Sequence, residues 1–131
     1  MALIIDLKPK ERVIIGNALI TNDATRARLH IEGDAAILRE KDILREEDAN
    51  SPCKRIYFTI QLMYLADDPM TLHELYFSQV KDVQHAAPST APMFMKINDF
   101  ILSDQYYKAL KEARHLIEYE QKLIGNVVGS K

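Results

Sequence analysis

The sequence predicts an α+β protein, an N-terminal antiparallel β-meander packed on a C-terminal bundle of three to four helices. Three observations carry this. In residues 2–45, short apolar runs alternate with turn-forming pairs. From residue 52 onward, apolar residues recur at helical spacing instead. The 131-residue length and 47% hydrophobic content suit a globular chain. It reads as a β-rich subdomain over 1–50 and a helical one over 51–131, sharing one core.

The first strand is "ALIIDL" (2–7), bounded by Lys8-Pro9-Lys10. "RVII" (12–15) follows and meets Gly16-Asn17, a hairpin turn pair. "ALIT" (18–21) runs into Asn22-Asp23. In "RARLHI" (26–31), Ala27, Leu29 and Ile31 alternate with Arg26, Arg28 and His30. Glu32-Gly33-Asp34 turns the chain again before "AAIL" (35–38). Such a short stretch makes a small core by itself. The sheet is therefore expected to dock on the helices or to dimerise.

The helical half opens with "SPCKRIYFTIQLMYLADDP" (51–69). Ser51 suits an N-cap and Pro52 the first turn. Ile56, Ile60 and Met63 share one arc; Phe58, Leu62 and Leu65 share another. So wide an arc predicts a central helix that fastens the sheet to the bundle. A second helix is expected over about 70–85, with Leu72, Leu75, Tyr76, Gln79 and Val83 on its face. "AAPSTAP" (86–92) is a loop. A short helix then covers Pro92–Leu102, with Phe94, Ile97, Phe100 and Ile101 inward. The last helix, capped by Ser103 or Asp104, turns Tyr106, Leu110, Ala113, Ile117 and Leu123 inward and stops at Gly125. "VVGSK" (127–131) reads as a frayed tail.

Charge and motif content narrow the function. A net charge of -2 removes a strongly basic surface but leaves room for local basic patches. Cys53 is the only cysteine, which fits a reducing, cytoplasmic setting. "ALIIDL" is too short for a signal peptide, and no apolar run approaches the ~18 residues of a membrane span. The four glycines form no phosphate loop. His30, His73, His85 and His115 are scattered, without zinc spacing. No nucleophile stands beside a base. The reading is a protein that is not an enzyme and needs no metal or cofactor.

Recognition remains. Arg26 and Arg28 lie on one strand, while Arg39 and Lys41 follow the last one. Arginines presented this way grip phosphates and stack on unpaired bases; the plainer alternative is a solvated charged face. Tyr106, Tyr107 and Tyr119 on the last helix suit either core packing or contact with a partner protein.

Longer strings carry a resemblance. "LKPKERVIIGNALI", "ILREKDIL", "RIYFTIQLMYL", "YYKAL" and "LIEYEQKLIG" together resemble the FlbT family of flagellum biosynthesis regulators, across nearly the whole chain. Membership implies a post-transcriptional repressor or activator. It would bind the 5′ untranslated leader of flagellin mRNA, alter its translation and degradation, and work with a small helical partner of the FlaF type. The alternative is a protein-interaction module acting through FlaF or flagellin without touching RNA. Neither implies a cofactor or a membrane, and homodimerisation stays open.

The N-terminal part, "ALIIDLKPKERVIIG" with "AAILREKDI", is also similar to the CsrA family of RNA-binding regulators. That resemblance implies RNA contacts near Ile5, Lys8 and Arg39. Leu7 departs from it, because CsrA-type chains carry arginine there. The resulting expectation is an RNA site of Lys8, Arg39, Arg26, Arg28 and Lys41, and a partner site of Tyr106, Tyr107 and Tyr119.

Overall fold

Alternating apolar residues and tight turns build five strands in residues 2–39. They are β1 (Ala2–Leu7), β2 (Arg12–Ile15), β3 (Ala18–Thr21), β4 (Ala27–Glu32) and β5 (Ile37–Arg39). The structure is a computed structural model that describes the backbone of residues 2–129 and the side chains of residues 2–125. The chain forms two units, Met1–Ile43 and Leu44–Lys131. Their boundary falls earlier than residue 50 for a local reason. The Gln61 side chain clamps the backbone of Leu44, accepting from its N–H at 2.8 Å and donating to its carbonyl at 3.0 Å.

In the first unit β1 pairs antiparallel with β4, Ala2 opposite Glu32 and Leu7 opposite Ala27. A second sheet has the order β3-β2-β5. The β2–β3 hairpin turns on two residues. Gly16 takes φ +62° there, the conformation that a type II′ turn asks of its first central residue. The period-two pattern of β4 holds: Ala27, Leu29 and Ile31 are partly buried, and Arg28, His30 and Glu32 are exposed. Arg26 lies just ahead of that strand. Ile5, Leu7 and Val13 form a buried cluster under Ile15, Ile20, Leu29, Ile31 and Ile37.

The second unit contains α1 (Pro52–Leu65), α2 (His73–Ala86), α3 (Ala91–Leu102) and α4 (Tyr106–Gly129). Ser51 caps α1, its Oγ accepting from the Lys54 N–H at 3.2 Å. Glu120 on α4 completes that cap by accepting from Ser51 Oγ at 2.5 Å and from the Cys53 N–H at 3.0 Å. α1 packs on α4 and α2, and α3 on α4. Ile56, Ile60, Met63, Tyr76, Phe94, Ile97, Ile101, Leu110 and Leu116 are almost fully buried. Each such side chain contributes roughly 1.5–3 kcal/mol by leaving water.

Several expected inward positions are displaced. Leu62 is exposed on α1, while Thr59 and Gln61 are buried; Thr59 returns its hydroxyl to the Arg55 carbonyl at 3.0 Å. On α2, Val80 is buried and Leu75 exposed. On α4, Leu116 takes the core position and Ile117 is half-buried. Ser103 closes α3 instead of opening α4, its Oγ donating to the Asp99 carbonyl at 2.7 Å. Gly125 does not stop α4, which continues to Gly129. Of the expected frayed tail, Ser130 and Lys131 lie outside the described residues.

Candidate nucleic-acid interface

The turn after β1 shapes the main polar feature of the first unit. Glu11 N–H donates to the Lys8 carbonyl at 3.1 Å, closing a four-residue turn with Pro9 at its second position. Lys10 occupies the third with φ +67°. This is type II geometry, which places glycine or asparagine at that residue. A lysine there holds a left-handed backbone at a cost of roughly 1–2 kcal/mol. The turn persists because its neighbours fix it. Lys10 N–H donates to the Asp23 carbonyl at 3.0 Å, and Lys8 N–H donates to Glu11 Oε1 at 2.8 Å.

Asn22 ties this turn to the loop before β4. Its amide nitrogen donates to the carbonyls of Leu7, Lys8 and Thr25 at 3.2, 2.8 and 2.9 Å. Lys8 and Arg26 are thereby brought to the same rim. From β5, Arg39 Nη2 donates to the Asp6 carbonyl at 2.8 Å and lies 3.7 Å from Glu11 Oε2.

The result is an open depression of about 640 Å³. Lys8, Lys10, Arg26, Arg39 and Lys41 line it, facing Asp6, Glu11 and Glu40. Five cations against three carboxylates make a locally positive surface on a chain of net charge -2. Among the described residues, the side chains of Lys8 and Arg26 make no ion pair or hydrogen bond. They are available to an anion without breaking an existing contact. Arg39 is held in place by backbone and carboxylate, so its guanidinium is pre-oriented.

Four of the five basic residues singled out from sequence therefore share one rim: Lys8, Arg26, Arg39 and Lys41. Arg28 does not join them. It lies on exposed β4 and pairs with Asp6 at 3.0 Å. Lys10 and Glu11 are additional members, and Asn22 braces the turn that carries them. The Pro9-Lys10 pair signalled the turn, but nothing local marked Glu11 and Asn22 as its organisers.

The three tyrosines separate. Tyr106 is buried in the helical unit, its Oη 2.8 Å from His73 Nε2, so it is a core residue and not an exposed contact. Burial and a hydrogen bond to Asp104 raise its pKa. Tyr107 is exposed beside Tyr64, ring centroids 5.5 Å apart, with Lys111 Nζ 5.1 Å from its own ring. Tyr119 Oη donates to Ser89 Oγ at 2.6 Å.

Cys53 is buried, and burial together with Glu120 pushes its thiol up to about 12, so it stays protonated at neutral pH. Among the described residues no cluster of three His, Cys, Asp or Glu side chains is placed to hold a metal, and no helix is long and apolar enough to cross a membrane.

Fold and site thus define a small α+β protein with a locally basic depression on its strand-rich unit. Comparison with known proteins gives the family. The family model described as "Flagellar protein FlbT" matches residues 3–124. The chain is 52% identical over 126 residues to the probable flagellum biosynthesis repressor protein FlbT 1 of Bradyrhizobium diazoefficiens, covering 95% of this chain and 86% of that one. Identity to the probable flagellum biosynthesis repressor FlbT of Rhodopseudomonas palustris is 47% over 124 residues, 95% of this chain and 98% of that one. For the flagellum biosynthesis repressor FlbT of Caulobacter vibrioides it is 31% over 130 residues, 97% and 92% of the two chains. The chain belongs to the FlbT family. No solved structure matches it.

Proposed function

We propose that this protein is a post-transcriptional regulator of flagellar synthesis that binds the 5′ untranslated leader of flagellin mRNA through the depression rimmed by Lys8, Lys10, Arg26, Arg39 and Lys41. One observation carries the reading. Two unpaired cations, Lys8 and Arg26, share a rim with a pre-oriented arginine, on an otherwise balanced surface. Phosphates would meet the free cations, while the fixed Arg39 guanidinium offers a plane for an unstacked base. The open shape suits a flexible single strand. Binding at the leader would alter translation and degradation of the message without any chemistry by the protein itself.

A second reading is favoured by the carboxylates Asp6, Glu11 and Glu40, which repel phosphate from the same depression. In it the protein acts through a small helical partner of the FlaF type, or through flagellin, and RNA is not touched. A titration of labelled flagellin leader RNA with purified protein, alone and with that partner, separates the two. Saturable binding by the protein alone, stronger than to a scrambled leader, supports direct recognition. Binding that appears only with the partner present, or not at all, overturns it.

A further inference from the structure

The helical unit contains a separate cavity of about 360 Å³, open to solvent. That size is ordinary for a small-molecule site. Its wall is mostly apolar, with Val83 and Ala86 from α2 and Leu123 from α4. The polar residues along it fall into two groups. Glu120 accepts from Ser51 Oγ and the Cys53 N–H, Tyr119 donates to Ser89, and Thr90 donates to the Ala87 carbonyl. Gln79 is uncharged, and its Oε1 is shielded from solvent, out of a ligand's reach. Arg55 and Asp82 differ from all of these. Both line the cavity, Arg55 from α1 and Asp82 from α2, and both are exposed. Among the described residues neither side chain makes an ion pair or a hydrogen bond, with the other or with any third group.

Unlike charges that share one apolar cavity without closing on each other restrict what can fill it. An anion meets Arg55 but is repelled by Asp82 and by Glu120. A cation meets Asp82 but is repelled by Arg55. An uncharged apolar molecule covers both charges and returns no contact to either, which is costly. A molecule with both charges close together on an apolar body answers all three demands. Free α-amino acids with large apolar side chains have that construction, a carboxylate and an ammonium on one carbon. The guanidinium of arginine also matches a carboxylate in geometry, with two parallel N–H donors. We infer that this cavity binds a free amino acid with an apolar side chain, its carboxylate on Arg55, its ammonium on Asp82 and its side chain against Val83, Ala86 and Leu123. The site lies within the helical unit and stands independently of RNA binding by the basic depression.

The test titrates the full chain with leucine, isoleucine, methionine and phenylalanine, followed by calorimetry and amide chemical shifts. Saturable binding of at least one is expected, with shifts concentrated on residues lining the cavity. For leucine, three analogues each remove one feature: isocaproate lacks the ammonium, isoamylamine the carboxylate and glycine the apolar side chain. Each should bind roughly tenfold or more weakly, the order expected for losing a hydrogen bond to a charged group or the burial of a large side chain. Arg55→Gln should erase the preference for leucine over isoamylamine and keep that over isocaproate. Asp82→Asn should do the reverse. Both positions are exposed, so the fold should survive, and circular dichroism checks it. Ala86→Phe, which fills the cavity, should abolish binding. No saturable binding by any of the four, analogues that bind as well as leucine, or charge variants that keep both preferences overturn the assignment. N-acetylleucinamide, which has neither charge, binding as tightly as leucine would make the cavity a site for a protein segment and overturn it too.

Discussion

Replacing Lys8 and Arg26 together by alanine should flatten the salt dependence of RNA binding while leaving the fold intact. These two are the informative pair because, among the described residues, their side chains have no partner to abandon. Removing Arg39 would instead sacrifice its bond to the Asp6 carbonyl and leave Glu11 with less compensation. Single-stranded nucleic acid gives a slope of roughly 0.7 in log affinity against log salt for each phosphate neutralised. Two contacts then contribute a slope of about -1.4, and raising salt from about 50 to about 200 mM weakens binding about sevenfold through them alone. Fluorescence anisotropy with labelled flagellin leader RNA across that range measures this directly. The double variant should lose about 1.4 units of slope and weaken on leader and scrambled RNA alike, as phosphate contacts do. A folded double variant with the wild-type slope and affinity would refute the site.

Three further outcomes follow from the same structure. Lys10→Gly should leave stability at or above that of the original chain in urea denaturation, because it relieves a φ of +67°, yet it should weaken leader binding; a loss of stability would mean the left-handed lysine is not strained. Cys53 holds its proton to about 12 in the folded chain against 9.0 ordinarily, so the native state binds more protons between those values. The stability gap between the original chain and Cys53→Ala should therefore be constant below pH 9.0 and shrink as pH rises toward about 12; a gap that widens with pH contradicts this. Phe94→Ala, at a fully buried site in the helical unit, should cost roughly 3–5 kcal/mol by chemical denaturation, and a cost below about 1 kcal/mol would show that the site collapses around the missing ring.

The sequence made the strands and helices legible because their signals are local. Gly16-Asn17 marks a hairpin that needs a positive φ, and Ser51-Pro52 marks a helix start whose cap is formed by the serine itself. The burial errors arise where local patterns are ambiguous. Leu75 and Val80 both fit a helical apolar face; contact with the rest of the bundle selects Val80. Gly125 reads as a stop by propensity, yet a glycine inside a long helix costs only about 1 kcal/mol relative to alanine. α4 runs through it. Tyr106, Tyr107 and Tyr119 look equivalent in sequence, but their different helical angles put one in the core, one in solvent and one beside a cavity. The basic rim was partly legible as residue types. Its assembly was not, because the Asn22 side chain reaches the carbonyls of Leu7 and Lys8 from a later loop and the Glu11 carboxylate braces the Lys8 N–H, bonds to backbone that leave no motif.

Lys10 links these levels. Elsewhere in the first unit local preference and observed conformation agree: glycine stands at the φ +62° of the β2–β3 turn and again at Gly33, with φ +117°. At the turn that rims the depression, the backbone takes a conformation suited to glycine while the sequence places a lysine. Departures of this kind concentrate where function constrains the residue. Exposure alone does not explain the lysine, since a glycine would be equally soluble at a two-residue turn. Among the described residues its one side-chain partner is Asp23, 3.4 Å away and almost fully exposed, a pair worth at most about 1 kcal/mol. That gain does not exceed the strain of the left-handed backbone. On the proposed RNA-binding reading the positive charge itself is the reason for the residue, and its position on the same rim as Lys8 and Arg26 would direct that charge toward phosphate.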